Sequence, residues 1–81
     1  MKIKYFAWIK DITKYENEEI YSEKIKNLDD LKTFIIKKYP DLEKHLDKEI
    51  LRFAVNQEYI IKNIDLNVND EIAIFPPVSG G

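Results

Sequence analysis

Eighty-one residues, 44% of them hydrophobic and 35% charged, describe one small globular domain, able to bury only about 60–65% of its unfolded surface, and not a disordered acidic tail. A net charge of −2, with lysines interleaved among carboxylates, gives no electrostatic basis for binding nucleic acid, and a chain without cysteine has no disulfide framework, thiolate metal site or cysteine nucleophile. Met1-Lys2-Ile3-Lys4 lacks the apolar run of a signal peptide and no segment approaches about 18 apolar residues, so no membrane insertion is expected and a cytoplasmic protein is.

Residues 2–10 alternate, with Ile3, Tyr5, Ala7 and Ile9 on one side and Lys2, Lys4, Phe6, Trp8 and Lys10 on the other. This predicts a strand with one apolar face, whose second face is unusual in placing Phe6 and Trp8 between lysines. Residues 11–19 are polar and turn-like, with room for one helical turn around Ile12. A second, weaker strand over 20–25 is expected to form a hairpin with the first. Asn27 is placed as an N-cap, followed by Asp29 and Asp30 in a first turn and Lys37 and Lys38 in a last one, as the helix dipole favours. Leu28, Leu31, Phe34, Ile35 and Tyr39 recur at three- and four-residue spacing, an apolar stripe suited to packing on a sheet, and Pro40 stops the helix.

Residues 41–49 read as a charged loop anchored by Leu42 and Leu46. A strand is expected over 50–56, with Leu51, Phe53 and Val55 on one side and Ile50, Arg52 and Ala54 on the other. Asn56-Gln57 turns the chain into a short strand over 58–61. Residues 63–70 form an Asn/Asp-rich loop that Ile64, Leu66 and Val68 are expected to pin down, and residues 71–75 form the last strand. The order β-β-α-β-β-β implies an α+β fold, a mixed sheet of four to five strands with one main helix packed across it. Residues 1–75 form the domain and residues 76–81 an extended tail.

That tail carries the one chemical peculiarity of the chain. Its only two glycines are Gly80 and Gly81, where they serve neither a turn nor a helix cap. Nothing crowds a Gly-Gly carboxylate, and its backbone fits a slot too narrow for side chains. Pro76 and Pro77 fix φ near −65° and favour an extended exit, and six residues reach roughly 20 Å at about 3.3 Å each. The tail is therefore suited to deliver its own carboxylate into another protein's pocket.

Elsewhere the candidate chemistry is thin. His45 lies among Asp41, Glu43, Asp47 and Glu49, but with no second His or Cys and with spacing that shares a face only in a strand, a solvated charged segment is the better account. No nucleophile–base pair and no glycine-rich phosphate loop is available, so the chain alone is not expected to catalyse a reaction, to hold a metal or to bind a cofactor directly. If Ile72 and Ile74 face the helix, parity sends Phe75 to the opposite side of the sheet with Phe6 and Trp8. Together with Tyr59 these form a candidate partner-binding patch, with Lys10 and Arg52 as a polar rim.

The ending Phe75-Pro76-Pro77-Val78-Ser79-Gly80-Gly81, joined to Ala54-Val55-Asn56-Gln57 and to the opening Tyr5-Phe6-Ala7, resembles the MoaD type of ubiquitin-like, β-grasp sulfur carrier, the small subunits of molybdopterin synthases. The resemblance spans the whole chain in length and element order. It implies that an adenylating enzyme of the ubiquitin-activating type uses ATP to activate the Gly81 carboxylate, that a thiocarboxylate replaces the adenylate, and that the large synthase subunit receives the tail, where sulfur passes to precursor Z (cyclic pyranopterin monophosphate). Carried over by position, Phe6, Lys10, Tyr59 and Phe75 contact that large subunit; Trp8, by strand parity, and the tail residues Pro76, Pro77 and Val78 are further candidate partner-binding residues. The chain departs from the family at Val68-Asn69-Asp70, where Asp-Gly-Asp is common, at Ser79, where Thr is commoner, and at Trp8, which is bulkier than expected. Three other readings compete: a carrier for thiamine thiazole synthesis, which usually lacks Phe-Pro-Pro; a ubiquitin-like modifier joined through Gly81 to target lysines; and an interaction domain with an inert tail.

Overall fold

A computed structural model describes residues 1–47 and 51–77. Its five strands are β1 (Lys2–Tyr5), β2 (Asn17–Glu19), β3 (Arg52–Val55), β4 (Glu58–Ile60) and β5 (Glu71–Phe75). They form one mixed sheet in the order β2-β1-β5-β3-β4. Only the β1–β5 pair is parallel, in the register Lys2↔Glu71 to Tyr5↔Ile74; the other pairs are antiparallel. Helix α2 (Leu28–Lys38) supplies Leu28, Leu31 and Ile35 to a core that the sheet meets with Ile3, Tyr5, Phe53, Val55, Ile72 and Ile74. This is the ubiquitin-like β-grasp. No helix among the described residues is long and apolar enough to cross a membrane.

The main helix starts and stops where its sequence says it should. The Asn27 side chain accepts from the Asp30 N–H at 2.8 Å, satisfying one of the donors a helix start leaves free. The helix ends at Lys38, ahead of Tyr39-Pro40, because a residue preceding proline is driven out of the helical region. Asn56 and Gln57 both take positive φ (51° and 70°) between β3 and β4, as a two-residue turn matching the twist of its strands requires.

Four elements depart from the sequence reading. The first strand ends at Tyr5, not at residue 10, and the chain turns at Ala7 into a short helix, α1 (Trp8–Thr13). Ile9 is fully buried on that helix, so strand parity carried it to the correct environment by the wrong path. The second strand is β2, at Asn17–Glu19 instead of 20–25. Ile20 and Ile25 are buried, but in irregular backbone. The segment read as a loop over 41–49 is a 3-10 turn (Pro40–Leu42) followed by a short helix, α3 (Glu43–Asp47), with Leu42 fully buried and Leu46 packed against the core; its last two residues, like Ile50, lie outside the described residues. In the 63–70 loop Leu66 is buried and Ile64 packs on the core, whereas Val68 points outward, 72% exposed. A single apolar residue in a loop is not by itself an anchor.

Candidate partner-docking face and tail exit

The parallel pairing of β1 and β5 decides where the candidate residues lie. Two neighbouring strands that run the same way end at the same edge of the sheet. The last β1 residue, Tyr5, sits opposite Ile74, and the Phe6 N–H continues the ladder by donating to the Ile74 carbonyl at 3.1 Å. Phe6, from near the other end of the chain, thereby reaches the point where Phe75 leads into Pro76-Pro77. Antiparallel β3 brings Arg52 opposite Phe75 and Ala54 opposite Ala73, and β4 places Tyr59 opposite Ala54.

Side chains alternate across a strand, so Ile72 and Ile74 pack inward with zero exposure while Glu71, Ala73 and Phe75 share the outer face with Lys2, Lys4, Arg52, Ala54 and Tyr59. No layer of the described chain covers that face. Phe75 is half-buried and its ring centroid lies 6.2 Å from that of Tyr59, tilted by 58°, within the range of favourable aromatic pairs. Tyr59 is 52% exposed and Phe6 47%. The two alanines leave a shallow centre between the aromatics. At its end lies a groove of about 470 Å³ lined by Phe6, Ala7, Ala73, Phe75, Pro76 and Pro77. An open, apolar groove rimmed by charge is the form of a protein-docking surface. Lys10 lines an adjoining recess with Phe6 and Ala7, and Lys4 pairs with Glu71 at 3.0 Å on the same face.

Of the expected site residues, the structure gathers Phe6, Phe75, Pro76 and Pro77 into one groove, with Tyr59 against Phe75 at its side and Lys10 and Arg52 near its edge. Trp8 departs from this group. Its expected position assumed a strand through residue 10; as the first residue of α1, it instead lies half-buried against the core, its ring centroid 4.6 Å from that of His45 on α3. The same contact accounts for His45, which is half-buried against an aromatic ring and not a solvated loop residue. Val78, Gly80 and Gly81 lie outside the described residues. The small residues Ala54, Ala73 and Ala7 shape the face, and composition and periodicity give no sign of that role.

A polar knot on the opposite side of the sheet holds its β2 edge. The Glu18 carboxylate, whose side chain is 11% exposed, accepts hydrogen bonds from the hydroxyls of Tyr5 and Tyr39 and from Lys38 Nζ at 3.0 Å. Burial alone would raise the Glu18 pKa, but those three donors together hold it below its ordinary value. Burial and the adjacent carboxylate push the Tyr5 phenol well above its ordinary range and that of Tyr39 up to about 12.

Comparison with known proteins agrees with this fold. A curated molybdopterin synthase sulfur carrier subunit from Arabidopsis thaliana is 31% identical over 89% of this chain and 98% of its own length. One from Dictyostelium discoideum is 56% identical over 45 residues, 53% of this chain, and the match spans only half of that relative. Among solved structures, a putative molybdopterin converting factor subunit 1 from Pyrococcus furiosus superposes with a TM-score of 0.82 at 26% identity, covering 95% of both chains. The small archaeal modifier protein 1 of Methanosarcina acetivorans gives 0.73 at 27% identity, covering 99% of this chain and 94% of that one. A chain from the complex of subunits 1 and 2 of the molybdopterin-converting factor of Helicobacter pylori gives 0.66 at 26%, over 99% and 96%. The ThiS family matches residues 3–81, from the first strand through the Gly-Gly end, and the chain belongs to it.

Proposed function

We propose that this chain is the sulfur carrier subunit of a molybdopterin synthase, presenting Gly81 as the group that is loaded and unloaded. One observation carries the reading: the parallel β1–β5 pair places an open apolar face, Phe6, Phe75 and Tyr59, at the same edge from which Pro76-Pro77 leads toward the Gly-Gly end. A carrier needs both features at one place. The face holds the partner, and the tail reaches its active site. The names of the plant and slime-mould relatives support the pathway, and the Helicobacter complex of subunits 1 and 2 supports a large-subunit partner.

In this reading an adenylating enzyme joins the Gly81 carboxylate to AMP from ATP, releasing pyrophosphate. A sulfur donor then displaces AMP to leave a terminal thiocarboxylate, and the large subunit directs that sulfur to precursor Z. This chain's own contribution is presentation. It has no cysteine, so carried sulfur resides on the terminus. The two prolines restrict the arm, and the glycines let it enter a narrow channel. Deleting Gly81, or appending residues after it, is expected to leave thermal unfolding unchanged and to abolish sulfur transfer to precursor Z by the reconstituted synthase. Transfer by the truncated chain would refute the proposal.

A second reading, a protein modifier joined to lysines, is favoured by the likeness to the archaeal modifier protein. It uses the same carboxylate and the same activation, and differs only in the acceptor.

A further inference from the structure

Among the described residues, four other than glycine have positive φ: Ala7, Lys14, Asn56 and Gln57. Three of them have ordinary explanations. Lys14 caps α1 in the left-handed helical region (φ 70°, ψ 11°), and Asn56 and Gln57 form the two-residue hairpin turn. Ala7 is different. Its φ of 55° and ψ of −136° lie outside the left-handed helical basin, where the Cβ of an L-residue meets its own backbone and only glycine is at ease. It occupies the first central position of a turn closed by the Ile9 N–H on the Phe6 carbonyl at 3.2 Å, and its angles are those of the type II′ turn, which asks for glycine there.

The turn itself is required: it takes the chain out of β1 directly into α1, leaving Phe6 on the outer face and burying Ile9. Glycine would make that turn without strain, so folding alone does not explain a methyl group at this position. The methyl is not core packing either, because Ala7 is exposed and lines the groove together with Phe6, Pro76 and Pro77.

We infer that Ala7 is a partner-contacting residue: its strained backbone holds the methyl as one wall of the groove between Phe6 and the tail exit, where it packs against the docked large subunit. The inference rests on the docking reading above and adds to it a residue and a physical cause. The strain is kept because the wall is needed in the complex, and strained backbone concentrates at sites of this kind.

The test compares Ala7→Gly and Ala7→Ser in the full-length chain, with thermal melts and calorimetric titration against the cognate large subunit, and Phe75→Ala as a reference. The glycine variant is expected to melt no lower than the wild type and to bind about fourfold more weakly, the loss expected for one methyl group removed from a dry contact. The serine variant keeps Cβ and is expected to bind within twofold of the wild type. A chemically assembled chain with D-alanine at position 7, unstrained at these angles and with its methyl turned away, is expected to melt higher and to bind as weakly as the glycine variant. A glycine variant that binds as tightly as the wild type, or that melts lower, overturns the inference while leaving docking intact. A wild-type chain that does not bind the large subunit, or a Phe75→Ala chain that binds equally well, overturns the docking reading and this inference with it.

Discussion

The Asn56 side chain links two segments fourteen residues apart, donating through Nδ2 to the Asp70 carboxylate at 2.9 Å and accepting through Oδ1 from the Glu71 N–H at 3.0 Å. Its own N–H donates to the Glu71 carbonyl at 2.7 Å, and the second Asp70 oxygen accepts from the Asn67 N–H at 2.7 Å. A left-handed residue in the β3–β4 turn thus sets where β5 begins, and through β5 where the tail leaves. The Ala-Val-Asn-Gln segment is structural at its asparagine.

Asn56→Ala is therefore expected to destabilise the fold by about 3 kcal/mol, from an Asp70 oxygen left without its partner and from putting alanine, which tolerates the left-handed region less well than asparagine, at positive φ. Asn56→Gly, which keeps the bond losses but removes the strain, is expected to cost about 1 kcal/mol less. Urea unfolding of the two variants measures the difference, and equal losses would mean that the turn conformation contributes nothing.

The Glu18 knot makes stability depend on pH from both sides. Glu18 has a lowered folded-state pKa, so its contribution is present above its unfolded value, near 4.5, and is lost as the pH falls through the folded value. The phenols of Tyr5 and Tyr39 are raised, so theirs is present below the ordinary value of 10.0 and fades as the pH rises past it. Melting temperature should decline at both ends. Glu18→Gln should cost about 1–2 kcal/mol at neutral pH and flatten the acid limb. An unaltered acid limb in that variant would place the titrating group elsewhere.

Phe75→Ala is expected to weaken binding to the large subunit by about 1–3 kcal/mol, as truncation of an aromatic anchor commonly does, with Tyr59→Ala smaller because its ring is more exposed. Isothermal calorimetry reads both. Unchanged affinity for Phe75→Ala would remove the outer face from the interface.

Trp8→Ala is expected to act mainly on stability, losing about 1–3 kcal/mol through the lost packing between α1 and α3, with less effect on large-subunit affinity than Phe75→Ala. Denaturant melts and the same titration decide. A variant that melts normally but fails to bind would return Trp8 to the docking face.

Carrier and modifier differ in what the cell leaves on the terminus. Protein isolated from cells is expected to show, by intact mass spectrometry, a fraction in which sulfur replaces one oxygen at Gly81. Adducts through isopeptide bonds to lysine, with no sulfur-containing form, would favour the modifier.

Much of this molecule is legible in its residues alone. The 28–38 helix, its asparagine cap and its proline stop are local effects, as are the 56–57 turn and the alternation of β5, because each depends on contacts within a few positions. The Gly-Gly end stands out in the sequence for the opposite reason, that no turn or helix cap calls for it, and Gly80 and Gly81 lie outside the described residues. Three features required the assembled chain. The first strand stops at Tyr5 because a strained turn intervenes at an alanine, which no propensity marks, and Ile9 disguised the change by being buried either way. Strand β2 went unseen because its inward residue is Glu18, whose burial is made tolerable only by Tyr5, Tyr39 and Lys38, partners from distant segments. The outer face gathers the candidate docking residues because β1 and β5 pair in parallel. Sequence periodicity says which side of a strand is apolar, but strand order and direction are set by packing among segments far apart in the chain, and these alone bring Phe6 to the place where the tail departs.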